Sequence, residues 1–241
     1  MNEYNSPAFY FFTIFGFFSG VVIHFLRIRI PQAIIFSDKI LLNELLIKNK
    51  KAKQTKKFNF FERFWYNPLS LYMGVFMAAV AMLFYMHFNF SIKSLILFIF
   101  LSALILLALI DFFHNYLPDI ITLPFLWLGI FLQLFPTVKT IGLESSVIGV
   151  FIGYLSLFFI NGIYFLFRKR NGVGYGDIKL MAMLGSWYGP YPLPSILFLA
   201  SILGLFWHLR NFNFVKYSSS SSFPFGPYIV LASVFHLFFL K

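Results

Sequence analysis

Long apolar runs alternate along the chain with short polar breaks. The runs occupy 8–26, 69–88, 94–112, 119–136, 146–167, about 178–190, 193–208 and 224–240. A membrane-spanning helix needs about 20 predominantly apolar residues, within a range of about 17–25. The sixth and eighth runs are short or broken by polar residues. The pattern predicts an all-α polytopic membrane protein of about eight transmembrane helices, with a range of 6–8. The first run is too long and too aromatic for a signal-peptide core. Its basic flank follows the apolar stretch instead of leading it, so it reads as a retained helix. The expected division is an amino-terminal region, 1–92, with two spans and a basic loop, followed by a second region, 93–241.

Composition narrows the class. The 241 residues are 60% hydrophobic and 11% charged, against roughly 25% charged in soluble domains. There are 37 Phe, and mean hydropathy is +0.81. A soluble fold lacks the interior to hide that much apolar surface. A cytosolic globular enzyme and a disordered tail are thereby excluded. The chain has no Cys, so disulfides and thiolate metal sites are excluded as well. His24, His87, His208 and His236 are scattered without metal-ligand spacing, and no metal is expected. The Phe side chains read as lipid-facing bulk.

Net charge of +11 raises the question of nucleic acid. The basic residues are segregated between loops, which argues for a membrane role instead. Residues 27–63 hold ten of the nineteen Lys and Arg, with no aromatic-stacking or Gly-rich RNA module beside them. If 27–68 is cytoplasmic, the loops 111–118, 168–177 and 209–223 fall on the same side. With Lys179 they bring that side to sixteen basic residues, leaving only Lys93, Lys139 and Lys241 opposite. The partner implied is the lipid bilayer, with anionic head groups near the basic run, and no nucleic acid. The five-Ser stretch 218–222 is the only low-complexity segment.

Carboxylates at the edge of hydrocarbon are costly and mark function by default. Two stand out among eight: Asp111, closing the third run, and Asp177, opening the sixth after Gly172-Val173-Gly174-Tyr175-Gly176. The topology puts both at cytoplasmic ends of spans. Such a pair suits amide hydrolysis, one carboxylate ionised to activate water and the other protonated to polarise the carbonyl. Spacing alone favours reading both as helix caps at a membrane border. Gly174 and Gly176 have the freedom to adopt positive φ and let backbone pass close to a substrate. Gly185→Ala, away from the two acids, is expected to do much less harm than Gly176→Val. Pro118 keeps Leu117 out of helix, so Asp119 is expected to cap the fourth span. Lys179 reads as steadying Asp177 or as snorkelling to lipid phosphate. His114 reads as a solvated loop residue, since no nucleophilic Ser motif accompanies it.

Three patches carry a resemblance. Ile110-Asp111-Phe112-Phe113-His114-Asn115-Tyr116-Leu117-Pro118-Asp119, running into Thr122-Leu123-Pro124, resembles the first aspartate motif of the type IV prepilin peptidases. Gly174-Tyr175-Gly176-Asp177-Ile178-Lys179-Leu180 resembles their Gly-x-Gly-Asp signature. Phe223-Pro224-Phe225-Gly226-Pro227-Tyr228 resembles the Pro-Phe-Gly-Pro segment before their last helix. The resemblance implies an inner-membrane aspartic-type endopeptidase. It would cut basic leaders from type IV prepilins or type II secretion pseudopilins at the cytoplasmic face. Asp111 and Asp177 stand at the two catalytic positions, with Gly174, Gly176, Lys179, Pro118 and Asp119 in support.

The amino-terminal region is a degenerate match to the part that goes with N-methylation. Gly20 and Phe25 stand where the family has Asn and Arg, and the four-Cys loop has no counterpart. The peptidase reaction implies no cofactor; S-adenosylmethionine enters only with methylation. A presenilin-like intramembrane protease is the first competing reading. Its Tyr-Asp and Pro-Ala-Leu strings are absent from this sequence. A non-enzymatic transporter or assembly factor of a secretion machine is the second. A transporter is expected to hold polar groups at mid-membrane, whereas these acids sit at span ends.

Overall fold

A computed structural model describes residues 7–46, 68–210 and 224–239. Most of the basic run, from Lys48 to Arg63, lies outside the described residues. So do Lys216, the five-Ser stretch, Phe223 and Lys241. All regular structure among the described residues is α-helical: α1 (Pro7–Leu46), α2 (Pro68–Phe88), α3 (Ile92–His114), α4 (Asp119–Leu132), α5 (Leu143–Arg168), α6 (Tyr175–Tyr188), α7 (Leu193–Arg210) and α8 (Gly226–Phe239). The chain is an all-α, multi-pass membrane protein. Five of these helices, α1, α2, α3, α5 and α7, contain a stretch long and apolar enough to cross a bilayer.

Three helices differ from the spans expected of them. At 14 residues each, α4, α6 and α8 reach about 21 Å, short of a hydrocarbon core about 30 Å thick. The irregular backbone after α4 and before α6 is satisfied by buried amides. Gln133, just past α4, accepts hydrogen bonds at Oε1 from the main-chain N–H groups of Thr140, Ile141 and Gly142, at 3.1, 3.3 and 3.3 Å. Non-helical backbone at membrane depth is tolerated where protein supplies such partners. In the other direction, α1 runs past Leu26, where a loop was expected, and continues through Pro31 to Leu46.

The chain divides into two compact units, Met1–Ser94 and Leu95–Lys241. In the first, α1 and α2 pack closely through small residues. A Cβ on Gly16 would run into Ala81, and one on Gly20 into the main chain of Met73. Small residues four apart let helix backbones approach in this way.

In the second unit α6 is the central helix, with ten of its fourteen residues buried. It packs against α4, α5, α7 and α8. This explains why its run was short and weakly hydrophobic: its neighbours are protein, not lipid. α5 turns a stripe toward the protein, namely Ser146, Gly149, Gly153, Leu157 and Asn161. Its small members admit α6. A Cβ on Gly185 would run into the Gly149 carbonyl, and one on Gly153 into that of Met181. Gly185 is therefore a packing residue, a role that its distance from the acids does not reveal. At the far end of α6, Trp187 stacks on Phe100 of α3 with centroids 4.0 Å apart. Its Nε1–H donates to the Phe125 carbonyl of α4 at 2.8 Å.

Candidate active site

Each acid sits where its helix changes direction. Asp111 lies in the last turn of α3. That helix stops at Asn115, whose N–H donates to the Asp111 carbonyl at 2.7 Å and whose φ of 49° is left-handed. Asn enters that region more readily than most side chains. Leu117 and Pro118 then turn the chain into α4, with Pro118 extended at φ −74°, ψ 126°.

Asp177 is the third residue of α6. Gly174 precedes that helix at φ −68°, ψ 141°, and its main-chain N–H faces the Asp177 carboxylate. This is the back-bonding half of a capping box. The expected positive φ at Gly174 and Gly176 is not present: Gly174 is extended and Gly176 is helical. Gly176 is instead constrained by packing, since a Cβ there would lie 2.8 Å from the Leu117 Cβ.

Both carboxylates line one cavity of about 310 Å³, with Asn115, Tyr116, Leu117, Asp119, Gly174, Tyr175, Gly176 and Lys179. Asp111 is 5% exposed and Asp177 8%, and Asp177 lies within Coulombic reach of Asp111. Asp111 Oδ2 accepts a 2.9 Å hydrogen bond from the Gly226 N–H, at the start of α8. Asp177 Oδ1 is buried without a hydrogen bond from the described residues. The structure thus brings together all the sequence-derived site residues but Pro118, which lies in the chain between the lining residues Leu117 and Asp119.

Two expected roles are corrected. Asp119 is the first residue of α4 rather than its cap; Pro118 holds the cap position, and no side chain bonds there. Lys179 does not pair with Asp177. Its Nζ donates to Asp119 Oδ2 at 2.6 Å, so it bridges α6 to α4. His114 is exposed, as expected, but it is the last residue of α3. Among the described residues no cluster of His, Cys, Asp and Glu could hold a metal ion.

Comparison with known proteins bears on the same stretch of chain. Residues 98–209 match the type IV leader peptidase family. This segment, a little under half of the chain, is similar to that family. A prepilin leader peptidase/N-methyltransferase of Dichelobacter nodosus is 42% identical over 155 residues, covering 64% of this chain and 52% of that protein. Proteins of the same description from Stutzerimonas stutzeri and Pseudomonas aeruginosa are 36% and 35% identical over 146 residues, covering 61% of this chain and 50% of theirs. The chain spans about half the length of the curated relatives it matches. No solved structure matches it. The leader peptidase segment holds both Asp111 and Asp177.

Sequence reasoning missed how three residues serve the site. Gly226 holds Asp111; its patch was visible, but the bond spans 115 positions of sequence. Leu117, 4% exposed, wedges between Gly176 and Gly226. Asn161 gave one signal, a lone amide in an otherwise apolar run.

Proposed function

We propose that this protein is a prepilin leader peptidase, an aspartic-type endopeptidase that removes leader peptides from type IV prepilins or type II secretion pseudopilins. The observation that carries the reading is the shared cavity of Asp111 and Asp177 within the segment that matches the leader peptidase family. In this reading one carboxylate, ionised, takes a proton from water as the oxygen attacks the scissile carbonyl. The other, protonated, gives its proton to the carbonyl oxygen. When the tetrahedral intermediate collapses, the C–N bond breaks and a proton passes to the leaving amine. Two acids in one buried pocket suit these opposite roles, because close carboxylates resist carrying two charges. We read the protein as an inner-membrane protein with the aspartates toward the cytoplasm, supported by the sixteen-to-three split of basic residues. In the same reading 93–241 is the peptidase domain.

We read the amino-terminal region, 1–92, as not supplying the methylation step named for the relatives. The Cys-free sequence supports this, and so does Gly20: the Asn expected there would meet the Met73 main chain. S-adenosylmethionine therefore does not fit this chain as a cofactor, and no step is routed through it.

The decisive experiment is conversion of a type IV prepilin in membranes carrying Asp111→Asn or Asp177→Asn. Asn keeps size and hydrogen bonding but cannot cycle a proton at neutral pH. Both variants, at parental abundance, are expected to leave the prepilin uncut. Parental conversion by either variant would refute the two-aspartate mechanism.

A further inference from the structure

Asn161 is a buried amide on a helix whose other exposed faces are apolar. It is 5% exposed and lies on the stripe that α5 turns toward α6. Polar groups at this depth are costly unless paired. Asn161 Oδ1 accepts hydrogen bonds from the Gly172 N–H at 2.8 Å and the Val173 N–H at 3.1 Å. Its Nδ2 reaches Asn171 Oδ1 at 3.5 Å. The amide thus caps nothing on its own helix. It reaches across to the segment leading into α6.

The register between the two helices shows what that reach achieves. They run antiparallel, with Gly149 against Gly185 and Gly153 against Met181. Continuing by one turn at a time puts Leu157 opposite Asp177 and Asn161 opposite Val173. The hydrogen bonds to Gly172 and Val173 obey this register, although 171–174 is not helical. Asn161 lies seven residues before the end of α5 at Arg168, about 10 Å below it. The lead-in has therefore folded back alongside α5, and its N–H groups have no helical partner. Tyr164, one turn further along α5, closes the same seat: a Cβ on Gly172 would lie 2.7 Å from its ring. Two residues after Val173 the helix begins, at Tyr175, and Asp177 stands in its first turn.

We propose that Asn161 is a positioning residue for Asp177, its amide oxygen clamping Gly172 and Val173 so that α6 starts at the depth of Asp111. This rests on the reading of Asp177 as a working carboxylate. The clamp touches no substrate and acts only through the backbone. Its loss is expected to lower kcat and leave KM almost unchanged, because a misplacement of about 1 Å can cost about a hundredfold in rate.

The test uses the full chain in detergent or membranes, with a leader-bearing type IV prepilin as substrate. Asn161→Leu removes the acceptor while keeping the branched heavy-atom skeleton; Asn161→Asp keeps the acceptor. Hydrogen–deuterium exchange across 171–178 is read beside kcat and KM. Asn161→Leu is expected to speed exchange in that segment by about tenfold or more and to lower kcat similarly, with KM within about threefold. Asn161→Asp is expected to restore both. Should Asn161→Leu fail to accumulate, Gly172→Ala displaces the same segment from the Tyr164 side and is expected to give the same kcat loss. Unchanged exchange in Asn161→Leu, faster exchange with parental kcat, or an Asn161→Asp as impaired as Asn161→Leu would each overturn the proposal. A parent that cuts no prepilin would refute the peptidase reading instead, and the exchange data would still decide whether the clamp exists.

Discussion

Asp111 and Asp177 are held by different devices. Asp111 hangs from a helix end and is met by a main-chain N–H from a distant helix start. Asp177 is gripped from behind by the N–H of Gly174. Leu117 lies between the two arrangements, touching the glycine beside Asp177 and the glycine that binds Asp111. The three motifs thus meet at glycines because side chains there would occupy the space of the site itself. A Cβ on Gly226 would lie 2.6 Å from Asp111 Oδ2, closer than a non-bonded carbon and oxygen can sit, so the carboxylate must move. Gly226→Ala and Gly176→Val are both expected to insert normally and to lose at least about tenfold in prepilin conversion per mole of inserted enzyme. Parental activity in either would mean that this geometry is not the working one. At this scale the sequence singled out residues that the fold gathers at one cavity, and misassigned the conformation of its glycines. The glycines were legible as special, but positive φ and close packing leave the same letter in the chain.

At the scale of helices, the contact between α5 and α6 is the firmest feature of the second unit. It is made by glycine against glycine, with Ser146 Oγ donating to the Ser186 carbonyl at 2.7 Å. Overpacking such a contact costs about 1–3 kcal/mol. Gly185→Ala is expected to lower the midpoint of thermal unfolding in detergent. Gly162→Ala, on the same α5 but with nothing within 4 Å of the added Cβ, is expected to hold or raise it. Equal midpoints for the two variants would show that the helices separate without penalty. The ion pair between Asp119 and Lys179 joins α4 to α6, yet its side chains are 48% and 34% exposed. Half-exposed pairs contribute about 0–1 kcal/mol, so Asp119→Asn is expected to unfold with a midpoint close to the parent's. Hydropathy located all of these helices but overran the end of α4 and both ends of α8. It counts apolar residues and cannot see where buried amides such as Gln133 and Asn161 allow a helix to end early.

For the whole molecule, the two compact units pose the question of what the first one does. The relatives are named for two activities, and this chain spans about half their length. Its matched segment, 98–209, lies entirely within the second unit. In the first unit the residues that would speak for methylation are altered, and Gly20 is committed to packing. Its missing Cβ admits the main chain of Met73, so restoring the Asn would separate α1 from α2. What the described part of the unit shows is close packing of α1 on α2. The expected outcome is that cells with this enzyme as their sole prepilin peptidase make mature pilin with a free, unmethylated amino terminus. Intact-mass spectrometry of the purified pilin checks it directly, since a methyl group adds a fixed mass to the processed chain. Pilin one methyl heavier than the cut product would assign the second activity to this chain. It would also require a binding site for the methyl donor beyond the packed face of α1 and α2.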